Sequence, residues 1–321
     1  MAITMRDVAA RAEVSLKTVS RVVNHAPHVR PELVDRVEAA MRDLAWRPNP
    51  AAQALRSGQT GIIAIALPSL TRSFVARLAE AVVTEATRRG FQADLDPSPS
   101  DNRVRQMLGM VGRSCDAVIL VDIPYPGLAI APGAPVVSIM RSHPGADRVM
   151  PDLTLAAQLL AGHLQVLGRR DPLLIGFDRF GADQQLFFEA FSAHGLGDRP
   201  PIRAVATRAD GQAVAAQIIT STPPDAIVAA SDDLALGLLS GLAELGVRVP
   251  EDMAVASIDN VEDDMFAYPS LTSIDPSPNE MARVALDVVT DRIAGRDATA
   301  RTWTVPVTLM RRESTMGIGT S

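Results

Sequence analysis

A chain of 321 residues, 47% of them hydrophobic, is too long for one ordinary core and holds enough apolar material for two or three compact units. Its net charge of −6 argues against nucleic acid as a partner of the whole surface, yet residues 1–60 carry nine Lys/Arg against six Asp/Glu, a balance of +3 that leaves −9 for the rest. That asymmetry fits a basic head that meets phosphate on an acidic body that does not. A solitary Cys115 excludes an intrachain disulfide, and no run approaches the roughly 20 apolar residues of a membrane-spanning helix. The N-terminus lacks a signal peptide's apolar stretch, so the cytoplasm is the expected compartment.

The first 24 residues read as two short helices joined by a tight turn. Thr4, with Asp7 at the capping-box position, marks the first helix start, and Ser15 marks the second. On a helical wheel Lys17, Ser20, Arg21 and Asn24 gather on one side, while Val19, Val22 and Val23 lie opposite. One face packs and the other is free to lie in a DNA groove. A third helix is expected over 31–44, with Pro31 in its first turn and Leu33, Val34, Val37, Met41 and Leu44 as its apolar stripe. Then Pro48 and Pro50 force an extended lead-in, and Asn49 can cap a helix that Gly58 ends after barely two turns. Such a helix is too short to be stable alone.

Thr18-Val19-Ser20-Arg21-Val22-Val23-Asn24, Arg47-Pro48-Asn49 and Ala54-Leu55-Arg56-Ser57-Gly58 resemble the lactose-repressor/galactose-repressor family of bacterial transcription regulators. The similarity covers essentially all of the chain. It implies a helix-turn-helix DNA-binding domain over 1–46, a linker with a hinge helix over 47–60, and an effector-binding and dimerisation domain over 61–321. By the same resemblance Leu16, Lys17 and Arg21 reach base edges; Arg and Lys suit the paired acceptors of guanine, and Leu16 suits a thymine methyl. Thr4, Ser15, Thr18, Ser20, Asn24, Asn49, Ala52 and Arg56 complete the expected DNA contacts and set register. Paired Leu55 side chains from two subunits are expected to wedge into the minor groove and kink the operator.

From Gly61 short apolar strands alternate with amphipathic helices. Strands are expected over 62–67, 117–121, 136–139, 173–177, 226–230 and 253–258. Helices are expected over 72–89, 102–113, 153–167, 183–194, 211–221, 232–245 and 279–294. Alternation of this kind builds parallel sheets with helices on both faces. The fold expected is therefore a small all-α helix-turn-helix head plus an α/β body of two doubly wound subdomains, which the resemblance makes periplasmic-binding-protein-like. Residues 124–135 and 142–151 read as loops, the second near a crossover placed at residue 152. The resemblance returns the helix near Asn279 to the first subdomain, giving subdomains of roughly 61–152 plus 276–298, and 153–275 plus 299–315.

Open parallel sheets bind ligands beyond the carboxyl ends of their strands. From the loops there and the family resemblance together, the effector-site candidates are Arg72, Phe74, Asp122, Arg141, Asp152, Arg179, Asp183, Ser231 and Asp259, with Asp259 the cleanest match to a family acceptor of ligand hydroxyls. Leu153, Asp183 and Ser231 depart from the family's usual Asn, Arg and Asn, so the effector class is not inherited. With Asp183 where the family carries a clamping arginine, and Asp152 and Asp259 expected in the same cleft, the charge balance predicts a neutral or cationic effector.

No Gly-rich phosphate loop, His-Glu-x-x-His, Gly-x-Ser-x-Gly or spaced Cys/His cluster is present, so neither catalysis, metal nor cofactor is expected. The five histidines lie apart and read as surface or capping residues, and Asp232-Asp233 and Asp263-Asp264 read as solvated caps. Cys115 reads as a small buried apolar side chain. The expected partners are a near-palindromic double-stranded DNA operator, a small-molecule effector and a second copy of the chain. The chain stops nine residues after Arg312 without a heptad-bearing tail, which favours a dimer over a tetramer. The competing reading is a small-molecule-binding protein of receptor fold without regulated DNA binding.

Overall fold

The structure, a computed structural model, describes residues 3–23, 29–46, 58–197, 199–219, 222–296 and 299–317. The chain divides into two compact units, Met1–Gly61 and Ile62–Ser321.

In the first unit α1 (Met5–Arg11), α2 (Leu16–Val23) and α3 (Pro31–Asp43) enclose a core of Val8, Ala9, Ala12, Val19, Val22, Val37 and Ala40. Both helix starts follow from their caps. The Asp7 carboxylate accepts from the Thr4 backbone N–H and hydroxyl, each at 2.7 Å, and the Ser15 hydroxyl accepts from the Thr18 N–H at 3.0 Å. These bonds hold the Asp7 carboxyl below its usual range. The α1–α2 turn puts Glu13 at φ +52, a conformation that costs an L-residue roughly 1 kcal/mol or more. Arg36 of α3 offsets that strain by donating to the Ala12 carbonyl at 2.6 Å and the Glu13 carbonyl at 3.2 Å. The α3 stripe runs through Val34, Val37, Ala40, Met41 and Leu44; the core does not include Leu33, contrary to expectation.

The second unit holds two sheets. The first has the order β10-β5-β4-β3-β1-β2, from β1 (Ile62–Leu67), β2 (Gln92–Pro97), β3 (Ala117–Val121), β4 (Val136–Ile139), β5 (Asp147–Pro151) and β10 (Thr302–Val305), all paired in parallel. Its strands β1 and β3 are continuous apolar runs because helices cover both faces. Ile63, Ile65 and Leu67 face α4 (Ser73–Arg88) and α11 (Pro278–Ile293), whereas Ala64 and Ala66 face α5 (Asp101–Gly109). The second sheet has the order β11-β9-β8-β7-β6, from β6 (Pro172–Ile175), β7 (Ala226–Ala229), β8 (Ala254–Ile258), β9 (Thr272–Asp275) and an antiparallel β11 (Thr308–Met310). One face packs on α6 (Leu153–Val166) and α7 (Gln185–Ala193), the other on α8 (Arg208–Ile219) and α9 (Asp232–Glu244). Two four-residue helices, α10 (Asp263–Phe266) and α12 (Glu313–Met316), complete the unit.

Several expectations for the body are corrected. Residues 142–151 are not all loop: β5 forms there, its polar Asp147 and Arg148 having masked a strand whose charges are paired inside the fold. Residues 302–305 join the first sheet beside β5, so the segment 299–315 does not lie wholly in the second subdomain. The edge strands β2 and β10 and the short polar β9 and β11 escaped a search for apolar runs. The helix expected over 183–194 forms as α7, starting two residues later because a 3₁₀ stretch, Phe177–Gln184, kinked at Gly181, runs into it. Cys115 is free and buried, as read.

Candidate DNA-reading face and ligand cleft

On α2, Val19 and Val22 are buried against α1 and α3, Lys17 and Arg21 are exposed on the opposite side, and Leu16 is exposed at the first turn. Thr18 and Ser20 are half-buried at its edges, and Thr4 and Ser15 are exposed at the two helix starts. Leu16, at 44% exposure, is a large apolar side chain held out of the core beside two cations. A polar, hydrogen-bonding stripe with one apolar member suits base edges of the major groove better than plain solvent. Asn24, Asn49, Ala52, Leu55 and Arg56 lie outside the described residues.

In the body, the carboxyl ends of β3, β4 and β6, together with β5, converge on a cavity of about 300 Å³ lined by Asp122, Tyr125, Arg141, His143, Arg148, Arg179, Phe180 and Asp183 among others. That volume is at the small end of ligand-sized clefts, roughly 300–1,000 Å³. Asp122, buried at φ +46, accepts from Arg141 at 2.8 Å and from Arg72 at 2.9 Å. Asp183 pairs with Arg148 at 2.6 Å, and Arg148 also donates twice to the Met140 carbonyl. Arg179 donates to the Ala230 carbonyl at 2.8 Å, lies 3.5 Å from an Asp259 oxygen and covers the Phe180 ring. Asp259 sits at φ +141 with its Oδ1 buried and unpartnered. Burial pushes its carboxyl up to about 8 against the pull of Arg179, with the Asp232 charge adding to the rise. Strained backbone at two carboxylates of one cleft is the pattern expected of a functional site.

The two halves of the body touch across this cleft. The Ser73 backbone N–H and hydroxyl at the start of α4 donate to Asp233 of α9, and Arg77 of α4 donates to the Asn260 carbonyl at 2.5 Å. The Arg148 to Asp183 pair is a third such bridge.

Three candidates are used elsewhere. Phe74 is buried in the core of the first sheet, Asp152 caps α6 through the Leu155 N–H, and Ser231 caps α9 through the Leu234 N–H. Asp183 neither points free into solvent nor caps a helix. The neutral-or-cationic expectation also loses its premise, because four guanidiniums, Arg72, Arg141, Arg148 and Arg179, stand in or beside the cleft. Arg148 was missed because its strand read as a loop. His143 was missed too: it is buried, donates its Nε2–H to the Ile123 carbonyl at 3.1 Å and leaves Nδ1 unpartnered. His163 is likewise buried, against the Thr315 hydroxyl, and burial lowers it to about 4.

Nor are the paired aspartates all solvated caps. Asp232 is fully buried and accepts from the Ser257 and Ser273 hydroxyls at 2.5 and 2.7 Å and from the Val261 N–H at 2.8 Å. Asp264 is buried beside it, and that burial, reinforced by the Asp232 carboxylate, pushes its carboxyl up to about 10. Among the described residues no group of three His, Cys, Asp or Glu is arranged to hold a metal ion, and no helix is long and apolar enough to cross a membrane.

Two family descriptions match the chain: "Bacterial regulatory proteins, lacI family" over residues 4–49, and "Periplasmic binding protein-like domain" over residues 161–315. The ribose operon repressor of Bacillus subtilis is 27% identical over 97% of this chain and 98% of its own. A solved LacI-family structure from Sanguibacter keddieii is 30% identical, with a TM-score of 0.71 over 79% of this chain and 98% of that one. The Lac repressor dimer bound to operator and an anti-inducer superposes with a TM-score of 0.80 over 98% of this chain and 99% of that one, at 23% identity.

Proposed function

Because this chain belongs to the lacI family of bacterial regulatory proteins, and is thereby a DNA-binding transcriptional regulator with an effector-binding body, we propose that it acts as a homodimeric repressor. Its operator affinity is set by a small molecule held between the two halves of the body. The observation that carries the DNA half is α2, which buries Val19 and Val22 and leaves Leu16, Lys17 and Arg21 exposed. Leu16, Lys17 and Arg21 read bases, the other contacts named in the head set register, and Leu55 wedges the minor groove. Phosphate contact supplies affinity and base contact supplies sequence preference.

A second copy of the chain is supported by the patch around α10. Met265, Phe266 and Tyr268 are 56%, 78% and 80% exposed, three large apolar side chains within four residues, beside a hollow floored by Leu236 and Leu239. Patches of this kind mark association surfaces. Pairing two heads fits two half-sites of a near-palindromic operator.

The test begins by selecting a preferred duplex from random DNA with the full chain, then measuring its affinity by gel shift. A symmetric selected site, bound by two chains and lost in Lys17→Ala or Arg21→Ala, is the expected result. No enrichment, or enrichment indifferent to both substitutions, overturns the reading. Leu55→Ala should reduce the bend of the selected site in a circular-permutation assay while leaving the outer base preference unchanged.

A further inference from the structure

The cleft walls hold more cation than anion. Among the residues lining the cavity, Arg141, Arg148 and Arg179 stand against Asp122 and Asp183, an excess of one positive charge. Asp122 alone answers two arginines. A guanidinium out of bulk water is stabilised most by a planar oxyanion it can grip with two N–H bonds.

Asp183 shows where such an oxyanion fits. Its carboxylate reaches across the cleft from the second half to Arg148 on β5 of the first half, with the two side chains 30% and 17% exposed. Asp183 rides on the 3₁₀ stretch broken at Gly181, whose φ +58 and ψ −127 suit glycine alone. In the cavity lining, the buried and unpartnered His143 Nδ1 offers a polar contact to a ligand's hydroxyl or amide group.

We propose that the cleft takes a small organic anion, a hydroxylated compound bearing a carboxylate or phosphate, whose charged end lies between Arg141 and Arg148 and displaces Asp183 from Arg148. The proposal rests on the reading of this cleft as the effector site. It makes Asp183 an internal stand-in for the ligand: the bare protein keeps the two halves bridged through Asp183, and the ligand replaces that bridge with its own charge.

The test uses the full-length protein at matched ionic strength, with gluconate, glucose 6-phosphate and inorganic phosphate as anionic probes and glucose, sorbitol and putrescine as neutral and cationic ones. Thermal shift and calorimetric titration are the readouts. At least one anionic probe should bind, with affinity reduced about tenfold or more in Arg148→Gln, as expected for a lost charge-assisted hydrogen bond. Asp183→Asn removes the competitor and should tighten the same probe several-fold, a gain that misfolding cannot imitate. Silence from every anion, binding by neutral or cationic probes alone, or an Asp183→Asn variant that binds no more tightly overturns the proposal. Operator affinity measured with and without the probe separates the two readings. An anion that binds yet leaves operator affinity unchanged counts against effector control and leaves the ligand class standing; a neutral probe that alters operator affinity does the reverse.

Discussion

The recognition helix and the ligand cleft solve the same problem, presenting polar groups to a partner, in opposite ways. On α2 every candidate reader lies within six residues, and the 3.6-residue repeat alone sorts Lys17 and Arg21 from Val19 and Val22, with Leu16 added by the family resemblance. In the cleft Asp122, Arg141, Arg148, Arg179, Asp183 and Asp259 come from five segments spread along the chain and meet only after both sheets have formed. The lesson is that a short-range site depends on caps and turns, whereas a long-range site depends on the buried pairs that hold distant segments in register.

The largest expected effect tests that dependence directly. The Asp147 carboxylate on β5 takes two bonds from Arg292 of α11, at 2.7 and 3.0 Å, plus the Arg301 N–H at 2.9 Å. The Asp147 and Arg292 side chains are 2% and 6% exposed, so Asp147→Ala would strand a buried cation and should cost about 3–5 kcal/mol in urea unfolding of the body. A loss under about 1 kcal/mol would break the comparison, since it would make the pair no heavier than a helix cap.

The pH dependence of stability comes next. Burial beside the Asp232 carboxylate raises the Asp264 carboxyl far above its range in the unfolded chain, so the folded state holds a proton that the unfolded chain releases. Its contribution is present at low pH and is lost as pH rises towards 10. Unfolding midpoints of the wild type should therefore fall between pH 7 and 10, and Asp264→Asn, which mimics the protonated acid, should flatten that fall. An equally steep fall in the variant would remove Asp264 from the account.

Smaller effects belong to the head and should stay there. Lys17→Ala and Arg21→Ala should each weaken specific operator binding by about 1–3 kcal/mol and relax base preference, with ligand affinity of the free protein unchanged. Ser15→Ala, which removes the cap on the Thr18 N–H, should cost the head roughly 1 kcal/mol in thermal unfolding. If Ser15→Ala also altered probe binding in the cleft, the two regions would not be separable in the way drawn above.

By itself the sequence determined what local rules can decide. Caps at Thr4 and Ser15, the wheel of α2 and the uninterrupted apolar runs of β1 and β3 were all readable, because each signal repeats within a turn or a strand. Tertiary structure decided which charges are structural and which face the cleft. Asp147 and Arg148 are adjacent on one strand, yet one is buried against Arg292 and the other reaches Asp183, because successive strand residues point to opposite faces. The same holds for Asp232 and Asp264, read as solvated caps and found buried together. A charged residue's role depends on which distant partner arrives beside it, and that pairing is set by sheet order and chain crossover, where β10 returns to the first sheet and β11 to the second.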